Sequence, residues 1–437
     1  MGGRSVSATA IGLLGMGALV LFILMRIPVG VALGLVGFAG YAAIEGWTKA
    51  HLVVGSVPLE LASAYTLSVL PLFTLMGALA TMAGLSGDLF RASNAFFAGT
   101  RGSLAMAAIG ASAAFGAVCG SSVATAATMG RISIPEMLRA NYSPALAAGA
   151  VAAGGTLGIL IPPSLILMIY AIIAQQPVIK LFAAALVPGL LLTGFYIATV
   201  FLWVRMRADV APALPTGDPR GILRTFAKVA DVTALFLVTF GGIYFGWFSP
   251  TEAAAVGAFG ALLLGLWRRR LTRSAILIGF TETARITANI VLIVIGSTIF
   301  SYFVVQTAIA QNSVTWIKDT GMLPIVVMIL LIVLYIFLGC FLEGIGMVLV
   351  TVPVFLPLVV ANGYDAIWFG VLLVIVVEIG LIHPPVGMNL FIIRAQAPEI
   401  PLRAMYLGVL PFLAAPLILI ALLLAFPQIA LWLPEQF

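Results

Sequence analysis

Two proline pairs lie inside long apolar runs, each preceded by the same glycine spacing. The first copy reads Gly154-Gly155-Thr156-Leu157-Gly158-Ile159-Leu160-Ile161-Pro162-Pro163-Ser164. The second reads Glu378-Ile379-Gly380-Leu381-Ile382-His383-Pro384-Pro385-Val386-Gly387. Proline lacks a backbone donor and its ring collides with the preceding turn, so a helix unwinds or kinks there. Inside a bilayer the freed backbone groups survive only where protein or a water-filled site satisfies them. Matching breaks in two halves of one chain point to a transporter binding site.

Composition supports the membrane setting. Hydrophobic residues make up 62% of the 437 and charged residues 8%, against about 25% charged in a soluble domain. The class is an all-α polytopic membrane protein. The net charge of +6 comes from short basic clusters between apolar runs, as the positive-inside rule expects, and is no sign of nucleic-acid binding. The two cysteines, Cys119 and Cys340, lie in apolar stretches and suggest neither a disulfide nor a metal site. With two histidines and no phosphate loop, neither a transition-metal centre nor ATP-driven chemistry is expected, and no enzyme signature stands out. Residues 8–25 read as a retained membrane helix, not a signal peptide.

Further spans are expected near residues 29–44, 71–85, 178–204, 231–247, 251–267, 286–309 and 406–426, with an interfacial segment at 51–70. Two stretches differ. Residues 103–130 are rich in Gly, Ala and Ser and break at Gly116-Ala117-Val118-Cys119-Gly120-Ser121-Ser122. Residues 324–360 break at Gly339-Cys340-Phe341-Leu342-Glu343-Gly344. Each arm is too short to cross about 30 Å of hydrocarbon, so both stretches read as re-entrant helical hairpins. The two broken helices cover about 144–173 and 367–394.

The halves repeat. Gly37 and Gly40 match Gly257 and Gly260, and Gly77 matches Gly296. The hairpins and the Pro-Pro breaks follow in the same order, at an offset of about 220 residues. The chain divides into a first repeat at 1–205, a cytoplasmic linker at 206–228 and a second repeat at 229–437. Each repeat holds about five spans plus one hairpin, and an odd count makes the repeats inverted. Setting the linker and the basic run 268–273 in the cytoplasm puts Arg26, Arg91, Arg101, Arg131, Arg139, Arg394 and Arg403 there too. Both termini then fall outside.

The first apex carries Ser121 and Ser122. A helix starting there presents free amides, which favour anions, while the other arm ends in free carbonyls able to coordinate a cation. Hydroxyls and carbonyls are hard oxygen donors suited to sodium, and Gly155, Thr156 and Gly158 supply more. Ser122, Thr125 and Thr128 share one face of the second arm. Serine and threonine are also common packing residues in membrane helices; a break facing a second break favours the functional reading. Glu343 and Glu378 are ionisable groups in membrane segments, a functional hypothesis by default, set against a structural carboxylate capping an amide or pairing with arginine. His383 is either a proton carrier or a backbone-bonded residue. Glu252, after Ser249-Pro250-Thr251, reads as a helix cap. Ser122, Thr125, Pro163, Pro385 and Asn389 are the candidate substrate contacts. A non-transporting scaffold, and a stand-alone anion symporter driven by sodium or protons, remain alternatives.

Several stretches resemble one family. They are Gly116 to Ala126 (Gly-Ala-Val-Cys-Gly-Ser-Ser-Val-Ala-Thr-Ala), Gly158-Ile159-Leu160-Ile161-Pro162-Pro163-Ser164, Ser249-Pro250-Thr251-Glu252-Ala253-Ala254-Ala255, Gly339 to Gly344 and His383-Pro384-Pro385-Val386-Gly387. Together they resemble the large membrane subunit (DctM type) of tripartite ATP-independent periplasmic (TRAP) transporters, over nearly the whole chain. The resemblance implies a sodium-driven importer of organic acids in the bacterial inner membrane. It implies two partners, a small four-helix membrane subunit on a separate polypeptide and a periplasmic substrate-binding protein. It implies an elevator, in which a transport domain of hairpins and broken helices slides against a scaffold, both drawn from both repeats. Sodium would bind at Ser121, Ser122, Gly155, Thr156 and Gly158, and at Gly339, Glu343, Gly344 and Gly380. C4-dicarboxylates, sugar acids and keto acids are all compatible substrates.

Overall fold

The computed structural model describes residues 7–212, 229–339, 342–384 and 386–436, and every regular element among them is helical. The first half runs α1 (Ala8–Leu24), α2 (Val29–Glu45), α3 (Trp47–Ser63), α4 (Val69–Met82), α5 (Leu85–Phe97), α6 (Ser103–Cys119), α7 (Ser122–Arg139), α8 (Pro144–Leu160), α9 (Leu165–Ile173) and α10 (Val178–Met206). The second runs α11 (Val229–Tyr244), α12 (Pro250–Trp267), α13 (Arg273–Thr307), α14 (Ile309–Thr320), α15 (Pro324–Gly339), α16 (Gly344–Ala361), α17 (Ala366–Ile382), α18 (Met388–Gln396), α19 (Leu402–Ala425) and α20 (Gln428–Leu431). Among the described residues, seven helical stretches are long and apolar enough to cross a membrane. Most of the expected linker, residues 213–228, lies outside the described residues, as do Cys340, Phe341 and Pro385.

Four elements differ from the sequence expectation, one of them α14, a helix at Ile309–Thr320 where no element is expected. The expected span at 286–309 is the end of a continuous 35-residue helix, α13. No proline interrupts it; Thr272 caps its start by accepting from the Ala275 amide at 3.2 Å, and its polar residues Thr281, Glu282 and Arg285 are exposed. The corresponding first-half stretch carries Pro58 and Pro71 and splits into α3, a short 3-10 turn and α4. The polar segment after α4 is a helix, α5, with Leu85, Ser86, Asp88, Phe90 and Ala92 buried. The second hairpin arm does not stop near residue 130: α7 continues to Arg139, with Ser133, Ile134 and Met137 buried and Arg131 and Arg139 near the surface. The cap before α12 is reciprocal, as expected for Glu252. Ser249 Oγ accepts from the Glu252 amide at 3.3 Å, and Glu252 Oε2 accepts from the Ser249 amide at 2.7 Å.

Packing exchanges partners between halves. α2 lies along α13 and α12 along α4, forming a frame. Small residues set these distances: a Cβ on Gly37 would lie 2.6 Å from the Phe300 backbone nitrogen. Without a hydrophobic drive between helices in lipid, such close backbone approach is what holds them together. Inside sits a core of α6–α9 and α15–α18, closed by α10 and α19. α8 is buried at every residue from Leu146 to Leu160, and α17 from Trp368 to Ile382. α8 packs on α19 of the other half, and α17 on α10.

Candidate functional site

The first break is stitched by its own residues. α8 ends with the Ile161 amide donating to Leu157 at 3.0 Å. Ser164 then serves both sides. Its hydroxyl accepts from the Leu167 amide at 3.2 Å, capping α9, and donates to the Ile159 carbonyl at the end of α8. One carbonyl freed by the prolines, that of Ile159, is therefore satisfied within protein. Ser164→Ala should destabilise the chain by about 1–3 kcal/mol, since it strips a cap and orphans a buried carbonyl. Thermal unfolding of the detergent-purified protein measures this, and threonine at the same position should recover most of the loss.

The apex between α6 and α7 lies directly on this break. Gly120 has a left-handed φ of 66°, and a Cβ there would lie 2.6 Å from the Pro163 carbonyl oxygen. The Leu165 amide donates to the Gly120 carbonyl at 3.4 Å. Ser121 caps α7 by accepting from the Ala124 amide at 3.4 Å, and Thr125 donates to the Ser121 carbonyl at 2.7 Å. Gly158 faces that turn: a Cβ on it would lie 2.6 Å from Thr125 Oγ1 and 2.7 Å from the Ser121 carbonyl oxygen. Gly155 faces Ala126 in the same way, at 2.7 Å. Ser121, Ser122, Thr125, Gly155 and Gly158 therefore gather at one crossing of α7 and α8. Thr156 turns elsewhere. Its hydroxyl donates to the Ala153 carbonyl at 2.8 Å and meets the Tyr196 hydroxyl of α10 at 3.2 Å.

The second half repeats the crossing. A Cβ on Gly116 would lie 2.7 Å from Gly158 Cα; one on Gly380 would lie 2.8 Å from Gly339 Cα. In both halves the end of the first hairpin arm touches the end of the broken helix, backbone against backbone. Gly344 is buried against Val377 and Ile166, which brings the second hairpin onto α9 of the first half. Glu343 stands at the cap position of α16 but accepts no capping bond. Glu378 is fully buried in α17, and neither of its oxygens has a hydrogen-bond partner among the described residues. Asn389 is also fully buried, its amide donating to the Ala152 carbonyl of α8 at 3.4 Å.

Between frame and core opens a cavity of about 1280 Å³. Ser121 and Glu343, one from each apex, line it, with Arg131 of α7. The frame contributes Arg26, Glu282 and Asn289. Of the expected substrate contacts, Ser122, Thr125, Pro163 and Asn389 are buried and do not line the cavity. Of the lining residues on the frame, the sequence singled out Arg26 only as a topology marker, and Glu282 and Asn289 not at all. Asn289, polar between apolar neighbours in α13, is the one that carried a local signal. The helix-end carbonyls and the Ser121 and Ser122 hydroxyls at the first apex are hard-oxygen donors of the kind that fits an alkali cation, and among the described residues no group of three or more His, Cys, Asp or Glu side chains gathers that could hold a metal ion.

This helical architecture is shared with a solved structure. The YdaH transporter of Alcanivorax borkumensis superposes with a TM-score of 0.59 at 15% identity, over 90% of each chain. The particular family follows from sequence. Residues 16–429 match the Tripartite ATP-independent periplasmic transporter, DctM component, and the chain belongs to this family as a TRAP large permease subunit. It is 36% identical over 377 residues to the C4-dicarboxylate TRAP transporter large permease protein DctM of Pseudomonas aeruginosa, covering 86% of this chain and 88% of that one. It is 33% identical over 374 residues to the sialic acid TRAP transporter large permease protein SiaM of Vibrio cholerae, covering 85% and 87%. The chain is thus a multi-pass membrane transport protein and not an enzyme.

Proposed function

We propose that this chain is the permease of a sodium-coupled importer of organic acids in a bacterial inner membrane, with both termini periplasmic. A periplasmic binding protein delivers the substrate, and a small four-helix subunit completes the complex. The two halves are inverted repeats (1–205 and 229–437, joined by a cytoplasmic linker), and α6–α7 and α15–α16 are re-entrant hairpins. The frame is the scaffold and the core is the elevator's transport domain. The observation that carries this reading is that both apices open onto one cavity between frame and core. Arg26 and Arg131 both line that cavity and suit a carboxylate, so the substrate class is a small organic acid such as a C4-dicarboxylate, sugar acid or keto acid. Sodium binds at the two glycine crossings, one with Ser121, Ser122, Gly155, Thr156 and Gly158, the other with Gly339, Glu343, Gly344 and Gly380. Thr156 contributes through its backbone, because its hydroxyl is engaged with Tyr196.

Reconstitution of the three components tests this. Ser122 is 5% exposed at the first apex, and Ser122→Trp should reduce sodium-dependent uptake to background while leaving membrane insertion intact. Persistence of that uptake would remove the apex from the mechanism. Equal uptake by the wild type without any binding protein would favour a stand-alone symporter.

A further inference from the structure

The chain passes from frame to core at two corners, and the corners are built differently. One is Ala83–Gly84, between α4 and α5; the other is Ala308, between α13 and α14. Both turn through left-handed backbone, with φ of 72° at Gly84 and 54° at Ala308. α5 packs on α6 and α7, and α14 on α16, so each helix beyond its corner travels with the core.

The first corner is held by charge. Asp88, in the first turn of α5, accepts from Arg268 Nη1 at 2.5 Å. Arg268 directly follows α12, and its Nε and Nη2 also fork onto Asp231 of α11 at 2.9 and 2.6 Å. Arg91 pairs with Asp88 from the other side. Arg270 donates to the carbonyls of Ala83 and Gly84, each at 3.3 Å. The Arg268 and Asp88 side chains are only 14% and 7% exposed. A planar guanidinium spans two carboxylates in a way an ammonium cannot. The second corner is held by neutral groups. Thr9 of α1 donates to the Thr307 carbonyl at 3.2 Å and accepts from Asn312 of α14 at 2.8 Å. At the repeat offset of about 220 residues, Thr9 occupies the place of Asp231 and Asn312 that of Asp88. Gly46 follows α2 where Arg268 follows α12, so among the described residues no guanidinium takes the place of Arg268 at the second corner.

We infer that Arg268 is a positioning residue for transport: its bonds to Asp88 and Asp231 clamp the α4–α5 corner to the frame, leaving the α13–α14 corner as the freer hinge. The inference rests on the reading of frame and core as scaffold and moving domain. Removing the guanidinium would leave two largely buried carboxylates facing each other, so loss of folding has to be separated from loss of positioning.

The test uses the reconstituted three-component system and the variants Arg268→Gln, Arg268→Lys and the neutral triple Arg268→Gln/Asp88→Asn/Asp231→Asn. Arg268→Gln should lower maximal uptake at least tenfold with the half-saturating substrate concentration changed less than twofold. Lysine should recover part of the rate. The triple variant should regain thermal stability but not rate. A triple variant that transports at the wild-type rate would make the cluster a fold-holding device and overturn the inference. Amide exchange on the wild-type complex gives a reading independent of uptake. Amides at 84–90 should exchange at least tenfold more slowly than those at 308–314, and Arg268→Gln should abolish the difference. Equal exchange at the two corners of the wild type would overturn the inference even where transport is intact. A wild type that shows the exchange difference but no sodium-driven uptake would instead overturn the functional reading beneath it.

Discussion

Gly380→Ala is expected to bring sodium-dependent uptake down to background in a chain that still inserts. The added methyl would lie 2.8–3.0 Å from Gly339 Cα, carbonyl oxygen and carbonyl carbon. These are backbone atoms at the end of α15, where no side chain can rotate away. Overpacking of this kind costs about 1–3 kcal/mol, and here it is relieved only by pushing the hairpin off the broken helix. That separation displaces the carbonyls proposed to hold the ion. Gly158→Ala should behave alike, since its methyl meets Thr125 and the Ser121 carbonyl. The control is Gly17→Ala in α1, which has open space around it. It should retain full uptake and gain up to about 1 kcal/mol from helix propensity. Uptake assays on matched amounts of reconstituted protein, with thermal unfolding on the same samples, check the contrast.

The second large effect is expected at Glu343. The apices are not equivalent. Ser121 is neutral and spends its hydroxyl capping α7, whereas Glu343 makes no capping bond and faces the cavity. A carboxylate beside a monovalent cation raises affinity through ligand charge, so Glu343→Gln should weaken sodium binding about tenfold, or roughly 1.4 kcal/mol. The sodium-activation curve of uptake at fixed substrate measures it. Ser121→Ala should move the same curve less than threefold, because the carbonyls of the first crossing remain. An unchanged curve for Glu343→Gln would place the second ion away from this carboxylate.

The parts of this fold legible in sequence were those set by local backbone chemistry. Proline pairs, glycine spacing and the short Gly-Ala-Ser arms identified both broken helices and both helix–break–helix stretches, because bilayer physics allows few other meanings. The connectors α5 and α14 were not legible as helices. Their polar faces suit a membrane boundary, and their apolar faces gain partners only when the hairpins fold against them. The true start of α13 was hidden for a related reason: polar residues such as Glu282 and Arg285 look like a loop until the absence of proline is weighed. The site divides in the same way. Gly155, Gly158, Gly339 and Gly380 were found by motif, and their role as backbone contacts follows from their lack of a Cβ. Arg26 and the α13 residues Glu282 and Asn289 lie far apart in sequence, so only packing brings them to one cavity. Thr156 was found by position, but its hydroxyl direction depends on Tyr196, which no spacing rule supplies.

The most direct test of the account is accumulation of a radiolabelled organic acid in sealed proteoliposomes holding the permease and its small subunit. The cognate binding protein, loaded with that acid, is added outside. With an inward sodium gradient, no ATP and pH clamped equal on both sides, the acid should accumulate above its external concentration, and collapsing the gradient should release it. Accumulation that needs a pH gradient and proceeds in sodium-free buffer would contradict the sodium sites at the two glycine crossings.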